Sequence, residues 1–497
     1  MTIASLIFIS FCLVALGVYW KLPTQNRVLW LFTISSIFLL TWSWQLAGIF
    51  LVIGTVNYFL GKWLWKAEIN RRTLLWMGIG FNILILVLLK YSDFYSSDLT
   101  RLLERIGFNI GAGSLYLLVP IGLSFAIVQM ISYLVDIYNR IFVPELNWLD
   151  FLLYVIYFPK LISGPIERAR RILPLIKKPT SLDYISIERN FWLIVVGLVR
   201  KIIFADTLAA LIPTAIFLHP EAFPGQDLLV YIIAYAFAIY NDFAGYSNIV
   251  SGISGLFGIE LTRNFKLPYF SRNFSEFWDR WHASFSNWLR DYIFFPVSRA
   301  LLKRSPNRTG LINIILPPFV TMFVSGMWHG IGWNFLVWGG LHGTYLVAER
   351  VIKFRTPKRL PDELPNWRQV LSALWVFGLV VFAWLPFRMD LNTAWQFFLR
   401  LPGFFEWIKL LSWFLRQKLI GMVAWDNWYG FHFLDIRVII TILLAILFDW
   451  GQHRTSNETF ITIWPIWSQA LFLAFLIIFI ILTSLASNGT PFIYQGF

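Results

Sequence analysis

Cysteine and charge are what this chain lacks. One cysteine, Cys12, stands among 497 residues, so no disulfide can form within the chain, and a zinc site built on several Cys ligands is excluded. Charged residues make up 14% of the chain and hydrophobic ones 58%, whereas soluble domains carry about 25% charged residues. A chain this apolar belongs in a bilayer. Phosphate-loop and hydrolase signatures are missing as well. Gly61–Lys62 is followed by Trp63 at the end of an apolar run, and neither a G-x-S-x-G elbow nor an H-E-x-x-H pair occurs. No internal repeat is visible, which weighs against a transporter assembled from two related halves.

What is present is a succession of apolar runs, at 5–20, 28–60, 74–89, 115–135, 191–199, 228–239, 311–324, 369–385, 438–448 and 463–485. Roughly 20 residues cross one hydrocarbon core. The short runs therefore predict broken or re-entrant helices, which are tolerated where protein or a water-filled cavity covers the freed backbone. Residues 28–60 suffice for two passes with a tight turn near 42–45. No Lys or Arg precedes the first run, and Lys21 and Arg27 follow it, the reverse of a signal peptide. The charge bias puts the N-terminus outside and the loops at 62–72, 168–178 and 299–308 in the cytoplasm.

The net charge of +14 sits mostly in loops, in Arg168, Arg170, Arg171, Lys177 and Lys178, and in Arg299, Lys303, Arg304 and Arg308. Orientation and attraction to anionic lipid account for it, and the same surface suits a polyanionic cytosolic donor such as an acyl-coenzyme A. The basic residues flank spans and form no continuous face, which argues against nucleic acid. Residues 353–368 read as a loop between spans, and 400–437 as an aromatic, surface-lying segment. No domain boundary stands out, so residues 1–497 are expected to form a single membrane-embedded domain.

Ionisable groups inside such sequence are where function is sought, since each is costly against lipid. His282 lies in FWDRWHASFSNWLRDY, where 273–292 reads as one amphipathic helix with a capping-box-like start at Asn273 and Glu276. The plainer reading of His282 is an interfacial, hydrogen-bonded histidine. His329, in SGMWHGIGWNF, has Gly326, Gly330 and Gly332 around it, which permit close backbone approach. A neutral imidazole there can take a proton from a hydroxyl, or be a structural hydrogen-bonding group. Asp242, in YNDFAGYSN, needs a partner, with Tyr246 one turn on and a distant Arg or His as candidates. His342, in WGGLHG, is equally open.

The stretches PIGLSFAIVQMISYLVDIY (120–138), FPKLISGPIER (158–168), YNDFAGYSNIVSGISGLFGIELTRNFKLPY (240–269), EFWDRWHASFSNWLRDYIFFP (276–296) and SGMWHGIGWNFLVWGGLHG (325–343) together resemble the membrane-bound O-acyltransferase family, and within it the bacterial alginate O-acetyltransferase type. The resemblance covers roughly residues 1–390 well. It implies an all-α multi-pass fold, a ring of tilted and re-entrant helices around a central cavity, in the bacterial inner membrane. It implies His329 as the essential histidine and His282 as the second recurrent one. Trp278, Trp281, Arg290, Asp242, Tyr246 and Asn264, in or beside the matching stretches, are the candidate substrate-binding residues.

The implied activity moves an acetyl group from cytosolic acetyl-coenzyme A across the membrane for O-acetylation of an extracellular polysaccharide. His329 would be the general base, and His282 would position the thioester. No permanently bound cofactor or metal is expected. A secreted or membrane-anchored acetyltransferase partner would carry the group onward to the polymer. D-alanyl transfer towards teichoic acid is the alternative on the same fold, and a transporter or flippase the alternative outside enzymes. The C-terminal PFIYQGF departs from the family's aromatic tail at Gln495 and Gly496.

Overall fold

Backbone N–H and C=O groups find no water inside a bilayer, so a chain of apolar runs must satisfy them within helices or a closed barrel. This chain takes the helical solution. The computed structural model describes residues 5–90, 122–306, 310–330, 332–355, 366–403, 409 and 435–486, and every regular element among them is a helix. Six are long and apolar enough to cross a membrane: Trp44–Lys66, Arg71–Lys90, Gly225–Leu256, Leu311–His329, Asn366–Arg388 and Ile436–Thr455. Shorter apolar helices stand at Ile7–Lys21, Leu123–Tyr138 and Ile466–Leu482. The protein is a multi-pass membrane protein. The aromatic 410–434 stretch and the tail at 491–497 lie outside the described residues.

The described chain forms two compact units. The first comprises Met1–Val195, Tyr246–Asn264 and His282–Tyr292. The expected turn near 42–45 is present: the helix Thr24–Leu40 ends and Ser43 caps the next, its hydroxyl accepting from the N–H of Gln45 at 3.1 Å. Asn57 and Asn82, both fully buried, exchange side-chain hydrogen bonds of 3.1 and 2.8 Å, joining Trp44–Lys66 to Arg71–Lys90. Polar pairs of this kind hold helices together where no hydrophobic gain is available. Gly61 lies so close to Tyr133 that a Cβ would meet its ring at 2.7 Å.

The second unit comprises Val196–Gly245, Phe265–Trp281 and Ile293–Phe497. Leu311–His329 and Trp333–Arg355 form a tight hairpin in it. A Cβ on Gly326 would meet the Phe335 carbonyl oxygen at 2.3 Å, and one on Gly339 that of Met322 at 2.4 Å. Gly326 thus serves close backbone approach, as expected, whereas a Cβ on Gly330 would meet the Phe335 ring and one on Gly332 the Asn334 side chain. Arg200, 3% exposed, bonds Asp449 at 2.5 Å, Gln452 at 2.8 Å and Asn241 at 2.8 Å.

Two local expectations are corrected. The apolar run 228–239 is part of one unbroken 32-residue helix, Gly225–Leu256. The polar residues that follow it do not end the helix, because Asn241, Asp242, Ser247 and Asn248 are all buried against protein. Conversely, 273–292 is not one helix. It divides into Phe274–Arg280, Ala283–Leu289 and a π-helical turn at Arg290–Phe294. The break falls at His282, whose φ of 43° puts it in the left-handed region, a conformation few side chains other than glycine adopt without compensation.

Candidate functional site

In the first unit that compensation comes from Asn264. Its backbone carbonyl accepts from the Ala283 N–H at 2.8 Å. Its side-chain Oδ1 takes His282 Nδ1 at 2.9 Å and the Ser284 hydroxyl at 2.9 Å. The amide orientation is set from the other side, since Asn264 Nδ2 donates to Ser247 Oγ at 3.2 Å. An amide oxygen only accepts, so His282 Nδ1 carries the proton and Nε2 is the acceptor nitrogen of the neutral ring. Burial favours that neutral form, pushing the His282 pKa down from 6.5 to about 3. Phe125 stacks over the imidazole at 6.0 Å between centroids. Asn264, read from sequence as a substrate contact, here orients a histidine. Tyr246 is buried and its hydroxyl accepts from the Ser163 N–H at 3.3 Å. Arg290 is half-buried and donates to Asn287 Oδ1 at 2.8 Å.

In the second unit His329 ends the helix Leu311–His329, 7% exposed. The chain leaves the helix through Gly330, where a Cβ would meet the Phe335 ring at 2.3 Å. The His329 ring is walled by Trp328 at 4.9 Å, Trp338 at 5.0 Å and Phe387 at 5.2 Å, all centroid to centroid. Trp278 lies 6.0 Å from Trp338, which brings one sequence-predicted contact into the His329 neighbourhood. Trp281 packs instead on Trp384 at 5.1 Å and Phe265 at 5.2 Å.

Asp242 is 1% exposed, and its partner is a lysine that the sequence reading missed. Lys201 Nζ lies 2.7 Å from Asp242 and 2.8 Å from Asp206. It stands in a π-helical stretch, Val199–Asp206, whose widened turn passes close to Gly245; a Cβ there would meet the Lys201 amide nitrogen at 2.8 Å. The signal was available in VRKIIFAD, where two adjacent cations interrupt apolar sequence and must each find an anion.

Comparisons with known proteins bear on this arrangement. Residues 141–387 match the family model of the membrane-bound O-acyltransferase family. A probable alginate O-acetylase of Azotobacter vinelandii is 31% identical over 79% of this chain and 76% of its own length. A peptidoglycan O-acetyltransferase of Helicobacter pylori is 29% identical over 89% of this chain and 87% of its own. A teichoic acid D-alanyltransferase of Streptococcus thermophilus is 28% identical over 57% of this chain and 71% of its own. Family match and relatives agree with the helical, multi-pass architecture, and the chain belongs to the membrane-bound O-acyltransferase family as an O-acyltransferase.

Proposed function

We propose that this O-acyltransferase takes an acetyl group from cytosolic acetyl-coenzyme A and passes it across a bacterial inner membrane for O-acetylation of an extracellular polysaccharide of the alginate type, residues 1–497 acting as one catalytic domain. The observation that carries the reading is a buried histidine, His329, at a helix end within a matched family segment, in a chain whose relatives include an alginate O-acetylase and a peptidoglycan O-acetyltransferase. The chemistry balances on one imidazole. His329 takes the proton of the acceptor hydroxyl as that oxygen bonds to the thioester carbonyl carbon. The C–S bond then breaks, and the proton passes from His329 to the departing thiolate. His282, fixed by Asn264, positions the donor, and Trp278, Trp281, Arg290, Asp242 and Tyr246 shape or support the substrate path. A secreted or membrane-anchored acetyltransferase receives the group and completes transfer to the polymer.

Purified protein in liposomes, given acetyl-coenzyme A and an acceptor, should release free coenzyme A, and His329→Ala should reduce that release by roughly 10²–10⁴-fold while the protein stays folded in the membrane. Polymer acetylation at wild-type level in a well-expressed His329→Ala strain would overturn the assignment. D-alanyl transfer is the second reading, favoured by the teichoic acid D-alanyltransferase match. It predicts no release from acetyl-coenzyme A and transfer from a D-alanyl thioester carrier.

A further inference from the structure

His342 is a histidine to which neither sequence nor comparison gives a role. It is 1% exposed on the helix Trp333–Arg355, with its ring 5.0 Å from Trp338 and 5.0 Å from Trp278, centroid to centroid. Neither of its ring nitrogens has a hydrogen-bond partner among the described residues, and the same is true of Nε1 of Trp278, Nε1 of Trp338 and Oγ of Ser325. Native proteins pair nearly all buried polar atoms, and unpaired ones on three rings packed 5.0–6.0 Å apart, centroid to centroid, mark a place where something else supplies the partner. Trp338 also faces His329 at 5.0 Å, and Ser325 lies one helical turn before His329 on the same face. The unpaired group therefore adjoins the histidine proposed as the base.

Its hydrogen-bonding character is one-sided. Each indole N–H only donates, a neutral imidazole donates once and accepts once, and a hydroxyl can do both. An apolar occupant would leave every one of these groups unmet, and an ammonium would face two pure donors. An oxygen acceptor satisfies the two indole N–H groups and the imidazole N–H together. We propose that His342, with the indole N–H groups of Trp278 and Trp338, forms the oxygen-binding subsite of the His329 centre and donates to the acyl carbonyl oxygen during transfer. As the acceptor oxygen bonds to the carbonyl carbon, the carbonyl electron pair moves onto that oxygen, where the donors hold the charge. The pair returns when the C–S bond breaks. Donors fixed in an aromatic, water-poor wall act strongly on such developing charge.

The inference rests on the reading of His329 as the base, and the test separates the two. Native membranes, which retain any partner, are given acetyl-coenzyme A with a labelled acetyl group, and kcat and KM for the donor are measured. Trp278→Phe and Trp338→Phe keep an aromatic ring and remove one donor each. His342→Phe removes the imidazole, and His342→Gln restores an N–H. The Phe variants should lower kcat by about 10²-fold with KM nearly unchanged, and His342→Gln should recover part of the rate. Should His342→Phe fail to accumulate, the two Trp→Phe variants decide the matter alone. Phe variants that accumulate normally and transfer at the wild-type rate, or change KM only, overturn the subsite, provided His329→Ala is inactive beside them. A His329→Ala protein that still transfers overturns the underlying reading and the subsite with it.

Discussion

His282 and Asn264 are joined by a 2.9 Å hydrogen bond from Nδ1 to Oδ1, and the bond occurs where the chain breaks helix to place His282 at a φ of 43°. Asn264 holds the break through its backbone and the imidazole through its side chain. Asn264→Ala removes the acceptor that fixes the tautomer and leaves the Ser284 hydroxyl short of a partner. Acyl transfer should fall by about 10-fold to 100-fold, the size of loss found when a partner that orients a metal-bound imidazole is removed. Asn264→Asp, which keeps the acceptor oxygen, should lose less. Equal activity of Asn264→Ala and wild type, normalised to folded protein, would sink the orienting role.

Burial holds the His282 pKa at about 3 against an ordinary 6.5. The folded-state value is depressed, so on acidification the unfolded chain takes the proton first. The stabilisation is complete above 6.5 and is lost as pH falls from there towards 3, at about 1.4 kcal/mol per unit. The melting temperature of detergent-solubilised protein should fall between pH 6.5 and 4.5, and His282→Asn should flatten part of that slope. Parallel slopes for the two proteins would refute the assignment.

Lys201 and Asp242 form a pair at 2.7 Å with Asp242 1% exposed. Removing one member of a buried pair costs about 3–5 kcal/mol because the other charge is left uncompensated, whereas replacing both with apolar groups is often near neutral. Lys201→Met should therefore lower thermal stability sharply, and Lys201→Met combined with Asp242→Leu should recover much of it. Asp206, at 2.8 Å from the same ammonium, keeps the recovery incomplete. Additive losses in this double-mutant cycle would remove the pair as a structural determinant.

Much of this was legible in the sequence, for definite reasons. The all-helical, multi-pass class follows from apolar runs and low charge, and the turn before Trp44 follows from run length. His329 among glycines pointed to close packing, which the Gly326 and Gly339 contacts realise. The break at His282 was hidden because its cause, Asn264, is 18 residues away, and helical spacing on both sides of the break stays in phase with one continuous stripe. Arg200 and Lys201 stand out in VRKIIFAD as cations in apolar sequence, but the partners Asp449 and Asp242 lie 249 and 41 residues away. Local pattern carries no record of such pairings.

The glycine hairpin gives a stability prediction with its own signature. Gly339→Val adds a branched side chain where even a Cβ would meet the Met322 carbonyl oxygen at 2.4 Å. The helices Leu311–His329 and Trp333–Arg355 must part to admit it, and overpacking of this kind costs about 1–3 kcal/mol or more. Gly340, one residue on, has nothing within 4 Å of its added Cβ, so Gly340→Ala should be tolerated. The two variants are compared by yield of monodisperse protein after detergent extraction. Equal yields would show that the close approach does not limit packing.

Charge at the helix junctions of the first unit sets its orientation in the bilayer. Lys21 and Arg27 flank the junction after Leu6–Lys21, and Lys62, Lys66, Arg71 and Arg72 flank the one between Trp44–Lys66 and Arg71–Lys90, whereas the intervening turn at 41–43 carries no charged residue. Cationic junctions are retained on the cytoplasmic side, and successive antiparallel spans put alternate junctions on one face. The two basic junctions should therefore be cytoplasmic and the 41–43 turn external. Cys12 is the chain's sole cysteine and is buried, so a Cys12→Ser background reports cleanly on introduced thiols. In intact cells an impermeant maleimide should label Ser43→Cys and spare Lys66→Cys, and permeabilisation should expose the latter. Labelling of Lys66→Cys before permeabilisation would invert the orientation, and with it the side from which a cytosolic donor can reach the protein.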